Sequence, residues 1–143
     1  MRKTIPALPV KDIKTSCVFY SNKLGFNIRH QEETFAIAVR DAIEIHLWQA
    51  CDKSWKWRSI FLALKPIWTG AETFIAGTAS CRIEVQGINE LYDEYKKQGV
   101  LHSPDAVVQE QYWGHREFPA VDNYRNLLTF YEVVDGHKTL SQK

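Results

Sequence analysis

Glu44 and His46 stand two residues apart, with Trp48 two further on, inside the run Ala-Ile-Glu-Ile-His-Leu-Trp-Gln at residues 42–49. Successive side chains of a β-strand point to opposite faces, so Glu44, His46 and Trp48 share one surface while Ile43, Ile45 and Leu47 share the other. A carboxylate beside an imidazole can hydrogen-bond a ligand, pass a proton, or give two donors to a divalent ion. Residues 78–86 repeat the arrangement, with Ser80, Arg82 and Glu84 on one face and Cys81, Ile83 and Val85 on the other. In residues 127–134, Leu127, Thr129 and Tyr131 oppose Leu128 and Phe130. Three strands therefore offer a mixed polar and aromatic surface, backed by an apolar one that must meet a helix.

The remaining reactive types lack partners. Ser80 has no His placed near it by the pattern, and the chain contains neither G-x-S-x-G nor a glycine-rich phosphate loop. Cys17, Cys51 and Cys81 are odd in number and without C-x-x-C spacing, which argues against a disulfide framework or a zinc site. Cys17 and Cys81 read as buried free thiols, and Cys51 as a loop thiol open to reaction. His46 reads as a hydrogen-bonding pocket wall rather than a general base, and His30, His102, His115 and His137 as exposed loop residues. Glu110 and Glu117 are expected to face solvent or to pair with a neighbour such as Arg116. No catalytic residue is expected.

Aromatic residues make up 13% of the chain, more than a core of this size readily absorbs. Phe35, Trp48 and the tryptophans at 55, 57 and 68 either stack on a flat ligand or close the core or a dimer interface. Trp113 belongs to the same set, beside a Gly114 whose missing side chain lets another group approach the backbone closely.

The elements that must hold these groups follow from periodicity. Residues 5–10 are apolar but carry Pro6 and Pro9, which fits an edge strand. Asp12 is a helix N-cap; Ile13, Cys17, Tyr20 and Leu24 follow at helical spacing, and Gly25 stops the helix. Residues 26–30, 34–40 and 42–49 read as three strands joined by tight turns. Residues 78–86 restart the pattern: a strand, then a helix on Ile88, Leu91, Tyr92 and Tyr95 ending at Gly99, then strands near 106–111, 116–121 and 127–134. Each half is βαβββ. A weak repeat joins them, since Leu8-x-Val10-x-x-Ile13 lies beside Ile83-x-Val85-x-x-Ile88 and Tyr20 beside Tyr95. Residues 50–77, with Lys53, Lys56, Arg58 and Lys65, form a long connector expected to carry function or mobility, and residues 135–143 are expected to fray.

At 143 residues the chain suits one domain, 1–143, with modules at about 4–49 and 78–134. A net charge of +1 argues against a nucleic-acid partner. Neither an apolar signal core nor a run of about twenty apolar residues is present, so a cytoplasmic protein without a membrane partner is expected.

A family resemblance becomes specific at Trp113-Gly114-His115-Arg116-Glu117-Phe118, followed by Asp122, Asn126-Leu127, an aromatic residue and Glu132. W-G-x-R-E-F, then D-x-x-x-N-L, resembles the closing hairpin of bleomycin-resistance proteins, a branch of the vicinal oxygen chelate superfamily that also holds glyoxalase I and extradiol dioxygenases. The resemblance implies an α+β fold in which two βαβββ modules form a cup-shaped mixed sheet, the cup being the ligand site. In metal-dependent members each of four strands gives a His or Glu ligand; the matching positions here are Ile5, Glu44, Ser80 and Thr129, of which only Glu44 is a strong donor. Arg125 stands where the family pattern has Gly, so another residue, Asn123, is expected to take the positive-φ conformation.

The resemblance thus implies a non-catalytic homodimer, without cofactor or metal, that sequesters a partly aromatic small molecule, with a bleomycin-like glycopeptide as the named ligand. Trp113, Phe35, Glu44, His46, Trp48, Arg82, Tyr131 and Trp55 are the expected contacts. The competing classes are a metal-dependent lyase or dioxygenase built on Glu44, and a protein-interaction module.

Overall fold

The computed structural model describes residues 3–50, 77 and 79–134. The elements run β1 (Ala7–Val10), α1 (Ile13–Leu24), β2 (Asn27–Gln31), β3 (Phe35–Arg40), β4 (Ile43–Gln49), β5 (Ser80–Glu84), α2 (Ile88–Gln98), β6 (Gln109–Glu110), β7 (His115–Val121) and β8 (Leu127–Val133). Residues 51–76, including Cys51, Trp55, Trp57 and Trp68, and residues 135–143 lie outside the described residues.

The two halves form two four-stranded mixed sheets of the same order, β1-β4-β3-β2 and β5-β8-β7-β6. In each, the first strand lies parallel to the last, Leu8 opposite Leu47 and Ile83 opposite Phe130, while the remaining pairs are antiparallel. The sequence repeat is therefore a repeat of topology, and β1 is an edge strand, where its Pro9 removes no central ladder bond.

Local chemistry sets the boundaries. The Asp12 carboxylate accepts the Thr15 N–H at 2.7 Å and opens α1, and Gly25 closes it at φ +71. Gly99 closes α2 in the same left-handed geometry at φ +68. The halves differ at the helix starts, since Gly87 precedes α2 with φ +76 and gives no side-chain cap.

Two expectations need correcting. The strand foreseen at 106–111 shrinks to Gln109–Glu110, which pair with Glu117 and Arg116. Farther along β7 the edge is taken by residues 101 and 102: Leu101 bridges Ala120 and the His102 N–H reaches the Pro119 carbonyl. Residue 106 is drawn toward α2 instead, its carbonyl accepting the Tyr92 hydroxyl at 3.0 Å. In the β7–β8 turn Arg125 itself takes the left-handed conformation, at φ +72, and Asn123 does not. The Asp122 carboxylate holds that turn by accepting the backbone N–H groups of Tyr124 and Asn126, both at 2.9 Å, so the surroundings impose a conformation that Arg would otherwise avoid.

The helix-facing sides of both sheets converge on one core. Ile13, Cys17, Tyr20 and Leu24 of α1, Ala36, Ala38, Ile45 and Leu47 of the first sheet, and Ile83, Phe118, Leu128 and Phe130 of the second belong to a single buried cluster. Aromatic edges close it, with Tyr95 on Phe130 at 5.1 Å and 86°. Each such side chain contributes roughly 1.5–3 kcal/mol by leaving water.

Polar bonds tie the halves together. Asn126, fully buried, donates to the Pro9 carbonyl at 2.8 Å and to Asp122 at 2.8 Å, and its amide oxygen accepts the N–H groups of Gly77 and Ala79. Tyr20 of α1 donates to Asp122 at 3.2 Å. At the far end Arg40 grips both Glu94 oxygens at 3.0 and 2.9 Å and the Leu24 carbonyl at 2.5 Å, and Tyr95 donates to that same carbonyl at 3.0 Å.

Candidate ligand-binding faces

Because the helix sides meet in one core, the opposite faces of the two sheets lie on the outside. The strand alternation expected for β4, β5 and β8 holds: Ile45, Leu47, Ile83, Leu128 and Phe130 are buried, whereas Glu44, His46, Trp48, Arg82 and Tyr131 lie on the open faces.

On the first sheet Glu44 is the hub. One oxygen accepts from Lys3 at 2.9 Å and Arg29 at 3.0 Å, and the other lies 2.9 Å from His46 Nε2. These donors, Lys3 first and His46 next, hold the Glu44 carboxyl at about 2, below its usual 4.5. Phe35, opposite Trp48 in the β3–β4 register, stands edge-on to His46 at 5.1 Å and packs on Trp48 at 4.7 Å. Trp48 keeps 45% of its surface exposed, so a ring is available beside a fixed ion-pair cluster.

A depressed carboxylate stabilises the fold above the ordinary carboxylate range and loses that contribution as pH falls toward the folded value, here between about 4.5 and about 2. Titrating the Glu44 carboxyl carbon by NMR is expected to give a midpoint near the lower end. In Lys3→Met the midpoint should move toward the ordinary range; no movement would mean Lys3 does not set it.

On the second sheet Arg82 lies over the Tyr131 ring at 5.1 Å and pairs closely with Glu117. The Tyr131 hydroxyl reaches Glu84 at 3.5 Å, and burial with the nearby Glu84 charge pushes its ionisation up. His115 stacks on Tyr131 at 4.7 Å and 17°, with its buried Nδ1 making no hydrogen bond.

This overturns two readings. His115 is not an exposed loop residue but the first residue of β7, half-buried against Tyr131. Glu117 pairs with Arg82 across the sheet, not with Arg116, because neighbours on a strand face opposite ways. Arg116 turns instead to Asn89 at 2.7 Å and Glu132 at 3.8 Å. Counting back by two from buried Phe118 and Ala120 separates Arg116 from His115 and Glu117, and that count was the available signal. His30 is also a strand residue, exposed on β2 and 2.8 Å from Glu32, and His102 is exposed as expected.

Trp113 lies in the turn between β6 and β7, closed by Gly114 N–H to the Gln111 carbonyl at 3.0 Å. Gly114 is buried at φ +82, a conformation that a side chain would strain. Trp113 is 43% exposed, edge-on to Tyr112 at 4.6 Å, and Tyr112 is 90% exposed. Two sets of expected contacts are thus assembled, Phe35 with Glu44, His46 and Trp48, and Arg82 with Tyr131, while Trp113 lies beside Tyr112 and Trp55 falls outside the described residues.

Of the four metal-ligand positions implied by the resemblance, only Glu44 carries a strong donor, and both its oxygens are engaged by Lys3, Arg29 and His46. Among the described residues no group of three or more His, Cys, Asp and Glu is placed to hold a metal. The two thiols among the described residues are subdued, with burial raising Cys17 and pushing Cys81 up to about 11. Among the described residues no helix is long and apolar enough to cross a membrane.

Paired βαβββ halves, each a four-stranded mixed sheet with one helix, are the fold of bleomycin-binding and glyoxalase-like proteins. The bleomycin resistance determinant encoded on transposon Tn5 superposes with a TM-score of 0.66 at 19% identity, covering 93% of this chain and 98% of that one. The bleomycin-binding protein of Streptomyces verticillus, solved with copper(II)-bleomycin, gives 0.65 at 21% identity over 91% and 94%. No protein-family model matches the chain. The sequence relatives are nearer: the bleomycin resistance proteins of Geobacillus stearothermophilus and Staphylococcus aureus are each 48% identical over 134 residues, spanning 94% of this chain and 98% of theirs. The chain belongs to the bleomycin resistance protein family.

Proposed function

We propose that this protein binds a bleomycin-type glycopeptide in the cytoplasm and confers resistance by holding the drug without altering it. The observation that carries the reading is the pairing of rings with fixed charges on both outer sheet faces, in a chain 48% identical to proteins named for bleomycin resistance. Phe35, His46 and Trp48 on one face, and Arg82, His115 and Tyr131 on the other, give flat surfaces for stacking beside groups that orient a polar ligand. Trp113 adds a ring at the rim. Trp55 is assigned to the same site on sequence grounds alone.

Each face is a single wall. A homodimer in which the first sheet of one copy faces the second sheet of its partner would enclose a ligand and cover the aromatic surface at once. Light scattering at micromolar concentration is expected to give twice the 16.6 kDa chain mass; a monomer would remove the shared-site geometry.

Calorimetric titration with metal-free bleomycin tests the binding, and mass spectrometry of the recovered drug tests the absence of chemistry. Saturable binding with the drug unchanged supports the reading. Absence of binding overturns the ligand, and a modified drug overturns sequestration in favour of catalysis.

A further inference from the structure

The halves leave a cavity of about 610 Å³ between them on the helix side, where the β3–β4 turn and the end of α1 meet β5 and the start of α2. None of Phe35, Glu44, His46, Trp48, Arg82, Tyr131 or Trp113 lines it, so it is separate from the faces assigned to the glycopeptide. Its size falls within the roughly 300–1,000 Å³ of small-molecule pockets. Buried Phe26, Ile83 and Phe130 form the floor, and half-buried Ile43 and Leu91 flank it.

The charges at the mouth are unequal. Among the described residues, Asp41, Glu90 and Glu94 bring three carboxylates, and the one guanidinium, Arg40, is already bonded to both Glu94 oxygens and to the Leu24 carbonyl. Glu84 also borders the cavity, although its carboxyl turns away to the Tyr131 hydroxyl. The positive N-terminal end of α2 is answered by Glu90 in the first turn and by Glu132, which accepts the Gly87 N–H at 2.6 Å. An apolar floor under a surplus of carboxylates favours a ligand that is greasy and positively charged, and disfavours an anion of the same shape.

From this geometry we infer that the cleft between the modules is a second binding site, taking a hydrophobic organic cation independently of the sheet faces. The glycopeptide reading can fail without touching this one, since Glu84 is the one residue that borders both and its carboxyl is turned to Tyr131 on the sheet face.

Tetraphenylphosphonium and tetraphenylborate, alike in shape and opposite in charge, separate the possibilities by calorimetry on the full chain. The phosphonium is expected to saturate a single site and to bind at least about tenfold more tightly than the borate. Leu91→Trp, which fills the cleft, should abolish phosphonium binding, and D41N with E90Q should weaken it several-fold. Asn tolerates the φ +52 of position 41, so the charge variant keeps the turn. Trp48→Ala and Trp113→Ala should leave phosphonium binding unchanged. Equal binding of both ions, or loss of phosphonium binding in Trp113→Ala, overturns the proposal. Should Leu91→Trp fail to fold, the charge variant decides alone: unchanged affinity there overturns the cationic site.

Discussion

Asn126→Ala is expected to destabilise the protein by roughly 3–5 kcal/mol, a shift in denaturant midpoint large enough to leave the variant partly unfolded at modest urea. Four bonds end on this one amide: Pro9 of β1, Asp122 of its own turn, and the backbone N–H groups of residues 77 and 79 at the approach to β5. Removing it leaves a buried carbonyl without its donor, and strips a donor from an Asp122 carboxylate that is itself 2% exposed. Unpaired buried groups cost about 1–3 kcal/mol each, and water entering the space recovers part of the loss. Asn126→Asp is the sharper variant: it keeps the size, places a second carboxyl beside Asp122, and should be worse than alanine at neutral pH. A loss below about 1 kcal/mol in the alanine variant, measured by urea unfolding, would show that the two halves are held by the apolar core without this clasp.

The second large effect is on binding. Trp113→Ala should weaken bleomycin binding by ~1–3 kcal/mol, the scale of a buried aromatic anchor, while leaving the melting temperature nearly unchanged. The separation is possible because Trp113 is 43% exposed in a turn and touches Tyr112, itself almost wholly in solvent, so its loss opens no core cavity. Calorimetry alongside thermal unfolding checks both halves of the statement. An unchanged dissociation constant would assign the ring to a surface role.

Much of the fold was legible in the sequence because it rests on short-range chemistry. Asp12 and Gly25 bracket α1 at the expected residues, and Gly99 ends α2, since caps depend on a few neighbouring atoms. The faces of β4, β5 and β8 followed from period two alone. What escaped was decided by contacts distant in sequence. The shortened β6 depends on residues 101 and 102 occupying the β7 edge, and the strained Arg125 depends on an Asp122–Asn126 network that reaches across to Pro9 and Tyr20. His115 escapes the same pattern because a residue following Gly reads as loop until Tyr131 is known to lie against it. The strand pattern places Glu44, His46, Trp48, Arg82 and Tyr131 on the open faces of the sheets. Which way those faces are turned relative to each other depends on how the helices pack, with Arg40 and Tyr95 joining the halves through Leu24, and no local pattern reports that.

The two turns that end the sheets' long hairpins differ in kind. Between β3 and β4 the chain reverses over two residues at Asp41, with only a small step at φ +52; between β7 and β8 it takes five, and those five carry Asp122 and Asn126. The longer turn carries the amide that bonds both the Pro9 carbonyl before α1 and the backbone N–H groups ahead of β5, so one end of the β7–β8 hairpin also fastens the first strands of the two sheets to each other. The β3–β4 turn has no counterpart to it, and two halves of the same topology are thereby made inequivalent: shortening the β7–β8 turn would cost the joint between the sheets, whereas the β3–β4 turn could be altered without touching it.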